Sequence, residues 1–446
     1  MVAALVFLTP ISVDKGKCEY LKMDCSIYDG NGEWNKTFGG EKEDRGYSIQ
    51  ETHDGGYIVA GDTESFSSGG DLDFWLIKTD GYGKEQWNKT FGGNGMERCF
   101  CVRQTTDLGY IMVGWKYIAD RWADVWLIKT DESGNELWNK TFGDSNWNGG
   151  YCVQQTEDGG YIIVGNTYTS GHEGSDIWLI KTDSSGNIEW TKLFGGNKSD
   201  YGYSVQQVND GGYIIAGTTD SFGAEHWDVW LIKTDNDGNE IWNTTFGGSD
   251  YDMGKCVQQT SDGGYIIVGS IGKDKNYWYT QTDIWLIKTD ENGNELWNKT
   301  FGTNHHDRGE YVQQISDEGF IIVGETVNVR SSLDYNNYDI FDIWLIKTDL
   351  LGNEKWMKKI GKEGYDYAHA VQQTTDGKYI IVGETSSPTD SYFDIWLIKT
   401  GEPTLQIEGS CGSVVIKNTG EEDLSDLKWS IYVDGMVLTG GYTHGI

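Results

Sequence analysis

Aromatic rings beside acids and amides are the chemistry this chain offers most openly. Three stretches, SFGAEHWD (221–228), IGKDKNYWYTQTD (271–283) and TVNVRSSLDYNNYDIFD (326–342), together with Tyr392, present Trp227, Tyr277, Trp278, Tyr279, Tyr335, Tyr338 and Tyr392. Flat faces flanked by hydrogen-bonding groups suit sugar rings or a protein partner. The same rings could instead pack down as plugs beneath their own loops. Trp122 and Trp147 stand in comparable stretches elsewhere.

Acids form a second candidate set. Asp44, Glu97, Asp200, Asp252, Asp307 and Asp366 recur five residues ahead of a Val or Ile, with Asn148 as the exception. Gathered at one mouth, they could hold calcium, which prefers carboxylate and carbonyl oxygens. Kept apart, each would cap its own loop. No other metal or cofactor is expected. DNDGNE (235–240) lacks the spacing and terminal Glu of a calcium loop and reads as a hairpin turn. His172, His226, His305 and His306 would have to converge to bind a metal, and the adjacent pair His305–His306 favours neither chelation nor base catalysis. Among 69 acidic residues no two stand out as a catalytic pair, so no catalytic residue is named. N-x-S/T occurs at Asn35, Asn88, Asn139, Asn197, Asn243 and Asn298, which would carry glycans only on an exported chain.

The elements that must position these residues are written as a repeat. WLIK or its near copy places Trp75, Trp126, Trp178, Trp230, Trp285, Trp344 and Trp396 at spacings of 51, 52, 52, 55, 59 and 52 residues. Each unit holds four β-type runs, SVQQT (a), GGYIIVG (b), DIWLIKTD (c) and ELWNKTFG (d), separated by Gly, Asp and Asn turns. Runs b and c are apolar almost throughout, so both faces of each sheet must be covered. Sheets stacked face to face around an axis achieve this, and radial closure also limits exposed edges. The expectation is an all-β, seven-bladed propeller of four-stranded antiparallel blades. The array begins with a d run at 33–39 and ends with an a-b-c set at 368–400, so the N-terminal strand should complete the seventh blade.

In such a meander the a–b and c–d turns share one end and the b–c and d–a loops the other. The first pair, TxDGG and KTDxxGN, is uniform; the second varies, so a site belongs on the variable face. Asp73, Asp124, Asp176, Asp228, Asp283, Asp342 and Asp394 precede run c in every copy and read as loop caps.

The unit DIWLIKTDxxGNELWNKTFGG…SVQQTxDGGYIIVG resembles the ~50-residue propeller repeat of many archaeal and some bacterial secreted or cell-surface proteins, over residues 29–401. That resemblance implies the fold and an extracellular setting, and it implies no particular activity. Residues 402–446 resemble the start of an immunoglobulin-like module, well short of the ~100 residues such a sandwich needs.

Composition agrees. The chain has 446 residues, more than the ~250–300 one core usually serves, with 61 Gly, 3 Pro, 20 Trp and 26 Tyr. A formal charge of -34 repels phosphate backbones and speaks against nucleic acid. MVAALVFLTPISV, within a leader-like segment 1–28, has the length of a signal-peptide core but lacks the basic n-region, so it reads as a signal peptide without its first residues or as an apolar N-terminal strand; no later segment is apolar enough to span a membrane. Seven cysteines without CxxC spacing indicate neither a zinc site nor a disulfide framework; Cys101, Cys152 and Cys256, at one repeat position, read as small core residues. The functional expectation is a monomeric, non-enzymatic secreted or cell-surface platform whose variable face binds a surface protein or polysaccharide. The alternatives are an extracellular lyase or glycosidase using carboxylates on that face, and a quinone-dependent dehydrogenase, for which no cofactor pattern appears.

Overall fold

A computed structural model describes residues 32–118, 122–144, 146–168, 174–273, 281–316, 319–328, 340–362, 364–386 and 392–402, with strand backbone alone within 21–22 and 405–443. The chain divides into two compact units, Trp34–Lys399 and the remaining terminal segments. The first is a seven-bladed propeller of four-stranded antiparallel sheets. Blade one runs through strands a (Asp44–Glu51), b (Tyr57–Thr63), c (Asp73–Thr79) and d (Glu85–Phe91).

Blade seven takes a (Asp366–Gln373), b (Tyr379–Ser386) and c (Phe393–Thr400) from the end of the array and d (Trp34–Phe38) from its beginning. Trp34 lies opposite Lys399 and Phe38 opposite Ile395, the expected closing latch. Strand a of every blade touches strand a of both neighbours, the seventh returning to the first, so strand a is innermost and strand d forms the rim.

Burial follows the pattern. Strands b and c of blade one are buried along their whole length, while its strand d alternates toward solvent. The apolar clusters lie between blades: one joins Ile49, Val59 and Trp75 of blade one to Ile380, Val382 and Leu397 of blade seven. A single blade therefore has no core of its own, the physical reason the unit is repeated.

Three repeated contacts lock the structure together. The strand-d tryptophan packs on the strand-b Tyr or Phe of the next blade in all seven seams, with ring centroids 5.8–6.1 Å apart. Gly83 of the c–d turn has φ +73°, and a Cβ there would strike the Trp34 ring at 2.4 Å; this explains the Gly of KTDxxGN. Within a blade, the buried Lys of WLIK reaches the Asp of TxDGG, as in Lys78–Asp54 at 2.9 Å and Lys233–Asp210 at 2.9 Å. Lys78 also donates to the Thr79 carbonyl at 2.9 Å, so two motifs 24 residues apart are chemically one unit.

In the second unit, Leu21–Lys22 pairs with Leu427–Val433, which pairs with Met436–Thr443, and Leu405–Ser410 forms a hairpin with Ser413–Asn418. Part of the segment expected to be a leader thus supplies a strand to the C-terminal segment. Among the described residues no helix is long and apolar enough to cross a membrane.

Candidate functional site

The end of the disc that carries the a–b and c–d turns is structural. The first Gln of SVQQT accepts from the backbone N–H of the second in the next blade, as in Gln104 N to Gln50 Oε1 and Glu51 N to Gln372 Oε1, both 2.7 Å. The second accepts from the a–b turn of the preceding blade in all seven cases, at 2.8–3.0 Å. A shallow concavity lined by Gln50, Glu51, His53, Gln104, Gln372 and Thr375 lies here, and much of its polar lining is committed to these rings.

At the opposite end the six recurring acids do not gather. Asp44 accepts from Gly40 N at 2.9 Å, from Ser65 Oγ at 2.6 Å and from Thr63 Oγ1. Asp200 repeats this with Gly196 N, Ser221 Oγ and Thr219 Oγ1, and Asp252 holds Gly248 N and Gly272 N at 2.9 Å. Glu97 takes Gly93 N, Asp307 takes Thr303 N, and Asp366 takes Lys362 N and Thr385 Oγ1. Asn148, the exception, accepts from Thr167 Oγ1 at 2.5 Å, so an amide serves where the carboxylates do. Each acid caps its own d–a loop, most of them tying it to strand b, which is the capping alternative rather than a calcium ring. Among the described residues no group of three or more His, Cys, Asp or Glu is arranged to hold a metal. Burial pushes Asp252 and Asp366 up to about 6 and Glu97 up to about 7.

The loop aromatics are placed unevenly. Trp227 is half-buried and stacks on Tyr201 at 5.3 Å and 19°, and Tyr201 stacks on Tyr203 at 6.4 Å and 22°. Tyr392 is 48% exposed and Trp122 71% exposed. Tyr277, Trp278, Tyr279, Tyr335 and Tyr338 lie outside the described residues, as does His172. His226 stacks on Tyr251 at 4.5 Å, and His306 Nδ1 sits 3.5 Å from Thr282 Oγ1; the described histidines belong to no group arranged to hold a metal.

The six sequon asparagines are all exposed, five of them on strand d. Those five also brace their blades, because Asn35, Asn88, Asn139, Asn243 and Asn298 accept from the strand-c indole N–H at 3.1–3.3 Å.

The structure adds a site that the reading of the sequence missed. Strand a carries a β-bulge in every blade, between Gly46 and Ser48 in the first and at the equivalent step in the others. A bulge re-aims one side chain. The bulged residues are Tyr47, Phe100, Tyr151, Tyr203, Lys255, Glu310 and His369, all half-buried, and they form a closed ring about the axis. Tyr47, Phe100, Tyr151 and Tyr203 follow one another at 5.1–5.6 Å. Lys255 Nζ lies 4.6 Å from the Tyr203 centroid, Glu310 acts electrostatically on both Lys255 and His369, and His369 returns to Tyr47 at 4.9 Å.

Charged groups flank this ring. Arg98 lies over Tyr47 and Phe100, each at 5.4 Å, donates to Asp62 at 2.8 Å and bonds the Tyr47 hydroxyl. Arg45 Nε lies 3.5 Å from buried Glu384, whose other oxygen is 3.6 Å from His369 Nε2, an ion-pair separation rather than a hydrogen bond. Burial pushes Asp62 up to about 6 despite Arg98. Burial also raises Glu325, and the charges of Glu310 and Glu384 add to it. Burial alone would lower His369, but Glu384 and Glu310 carry it above the usual range. All four described arginines, Arg45, Arg98, Arg103 and Arg308, stand on strand a, the innermost strand. One signal was available: this ring position, two residues ahead of the nearly constant VQQ, differs in type from blade to blade.

No family model matches the sequence, and no curated protein matches it. Solved structures do resemble it. The polysaccharide lyase Uly1 is 10% identical, over 88% of this chain and 95% of that one, with a TM-score of 0.50. The Pan2 WD40 domain of Neurospora crassa is 10% identical over 81% and 89%, at 0.47, and Sqt1 from Chaetomium thermophilum is 10% identical over 95% and 100%, at 0.46. At these identities the similarity is one of fold alone, and a fold of this kind hosts unrelated functions.

Proposed function

We propose that this protein is a secreted or cell-surface binding platform whose variable face takes a glycan. The observation that carries this reading is the continuous aromatic stack Trp227–Tyr201–Tyr203, which leads from a variable loop into the axial ring. A sugar chain lying along such faces would bring its end to Lys255, Glu310 and His369, where hydroxyls find both donors and acceptors. Exposed sequons on the rim and the resemblance to surface-protein repeats support an extracellular setting.

A second reading is cleavage of the bound glycan. It is favoured by Glu325, a carboxyl that burial first and then Glu310 and Glu384 push up against the lowering charges of His369 and Arg308, the direction a general acid requires. The named activity of the lyase with the same fold is compatible with this reading.

The test is incubation of the purified propeller-containing chain with a panel of polysaccharides, recording retention on the solid and the appearance of new reducing or unsaturated ends. Retention without new ends supports the platform, new ends support cleavage, and neither result on any polysaccharide overturns both.

A further inference from the structure

Six blades contribute a glutamine to the first ring of SVQQT; blade two contributes Arg103. Glutamine supplies the carbonyl that the next blade's backbone N–H requires, and arginine has no acceptor at all. Six of the seven amides at that position, those of Glu51, Gln104, Gln207, Gln259, Gln314 and Gln373, donate to the preceding glutamine at 2.6–2.7 Å. The seventh, Gln155, follows Arg103 and has no such oxygen to meet.

Arg103 itself is short of acceptors. Its Nη1 donates to Val102 O at 2.7 Å and to Ser48 Oγ at 3.2 Å, which leaves three of five N–H groups. Among the described residues no carboxylate pairs with it, in a chain with 69 acids; Arg45 and Arg98 meet Glu384 and Asp62. The groups whose charge reaches it are Cys101, Tyr311, Cys152 and Cys256, from four different blades, which sets the guanidinium at the axis. The thiols also bond the backbone: Cys101, Cys152 and Cys256 donate to the Val153, Val205 and Val312 carbonyls at 3.6–3.8 Å, the bond Ser48 makes to Val102 O at 3.4 Å. Cys101 Sγ also accepts from Val153 N at 3.4 Å, and a hydrogen bond from Cys152, with the Arg103 charge, holds the Cys101 thiol below the usual range against burial. The concavity on the turn face lies beside this layer, since Gln50 and Gln372 line it with Gln104, the residue after Arg103.

We propose that Arg103 forms an axial anion site that takes a small carboxylate or inorganic oxyanion. A planar guanidinium matches such groups bidentately, and its Nε and Nη2 hydrogens remain to meet them. The site is separate from the ring of Tyr47 to His369 and does not depend on glycan binding.

Arg103→Gln tests this, because it restores the residue the other six blades use. Thermal unfolding of the full chain is followed in a bulky-anion buffer while sodium acetate or sodium sulfate is titrated at constant ionic strength. Wild type should show a saturable rise in midpoint of about 2 °C. Arg103→Gln should start higher and stay flat, and Arg103→Met should stay flat. A response to acetate alone marks a carboxylate site, and a response to sulfate marks an oxyanion site. Equal responses in wild type and Arg103→Gln would overturn the proposal. So would an unresponsive wild type; a thiolate absorbance that Cys101→Ser removes would then mark Cys101 as the counterion.

Discussion

The indole of Trp34, near the start of the propeller, packs on the ring of Tyr57 at 5.9 Å and 57° across the seam between blades seven and one. The same strand pairs with Phe393–Thr400, and Trp396 donates its indole N–H to Asn35 Oδ1 at 3.3 Å. Closure thus rests on one short strand joined to residues far along the chain.

Removing that strand should be costly. Deletion of residues 29–40 is expected to lower the unfolding midpoint by about 10 °C or more, because several packing and ladder contacts are lost at once. Trp34→Ala alone should cost about 2–3 kcal/mol, less than a fully buried tryptophan because this one is half-buried. Denaturant unfolding measures both, and an unchanged midpoint in the deletion would refute the latch.

The Lys–Asp pairs predict a pH dependence. Burial alone would raise Asp54, yet hydrogen bonds from Thr52, Lys78 and Gly56 win and hold it at about 2; Asp158 is likewise held at about 2. Asp107, Asp210, Asp262 and Asp376 are lowered in the same way. A carboxylate lowered in the folded state contributes stability above its unfolded value near 4 and loses it as pH falls toward 2. The midpoint should therefore drop steeply between about pH 4 and pH 2. Asp54→Asn should reduce that acid sensitivity and leave buried Lys78 without its counterion at neutral pH.

Glu325 predicts the opposite slope. Its carboxyl is raised in the folded state, so folding binds a proton there and stability falls as pH rises above the unfolded value. Glu325→Gln should leave the midpoint near wild type at about pH 5 and raise it relative to wild type at about pH 9. If the protein cleaves glycans, the same substitution should abolish release while retention on the polysaccharide persists.

Trp227→Ala separates binding from packing. Loss of one stacking face should weaken glycan retention about tenfold. The midpoint should move by no more than about 2 °C, since only one face of a half-buried ring is lost. A fall much larger than this with retention intact would make Trp227 a plug over Tyr201.

Much of the fold was legible because its determinants are local and repeated. The four runs per unit, the doubly covered strands b and c and the displaced d run led directly to blade number, strand order and the latch. Discounting repeated residues also served for the acids, whose caps the structure shows one loop at a time. It failed at strand a, where Tyr47, Phe100, Tyr151, Tyr203, Lys255, Glu310 and His369 were not singled out. A bulge shifts the register by one residue, and no motif in a single copy announces that shift.

By itself the sequence determined what a blade is: its strands, its turns, its outward and inward faces and the need for neighbours, because each follows from residue spacing within one repeat. Only the tertiary structure decided what stands at the axis. Residues as far apart as Tyr47 and His369 meet there solely because the ring closes, and closure is a property of seven blades that none of them encodes alone.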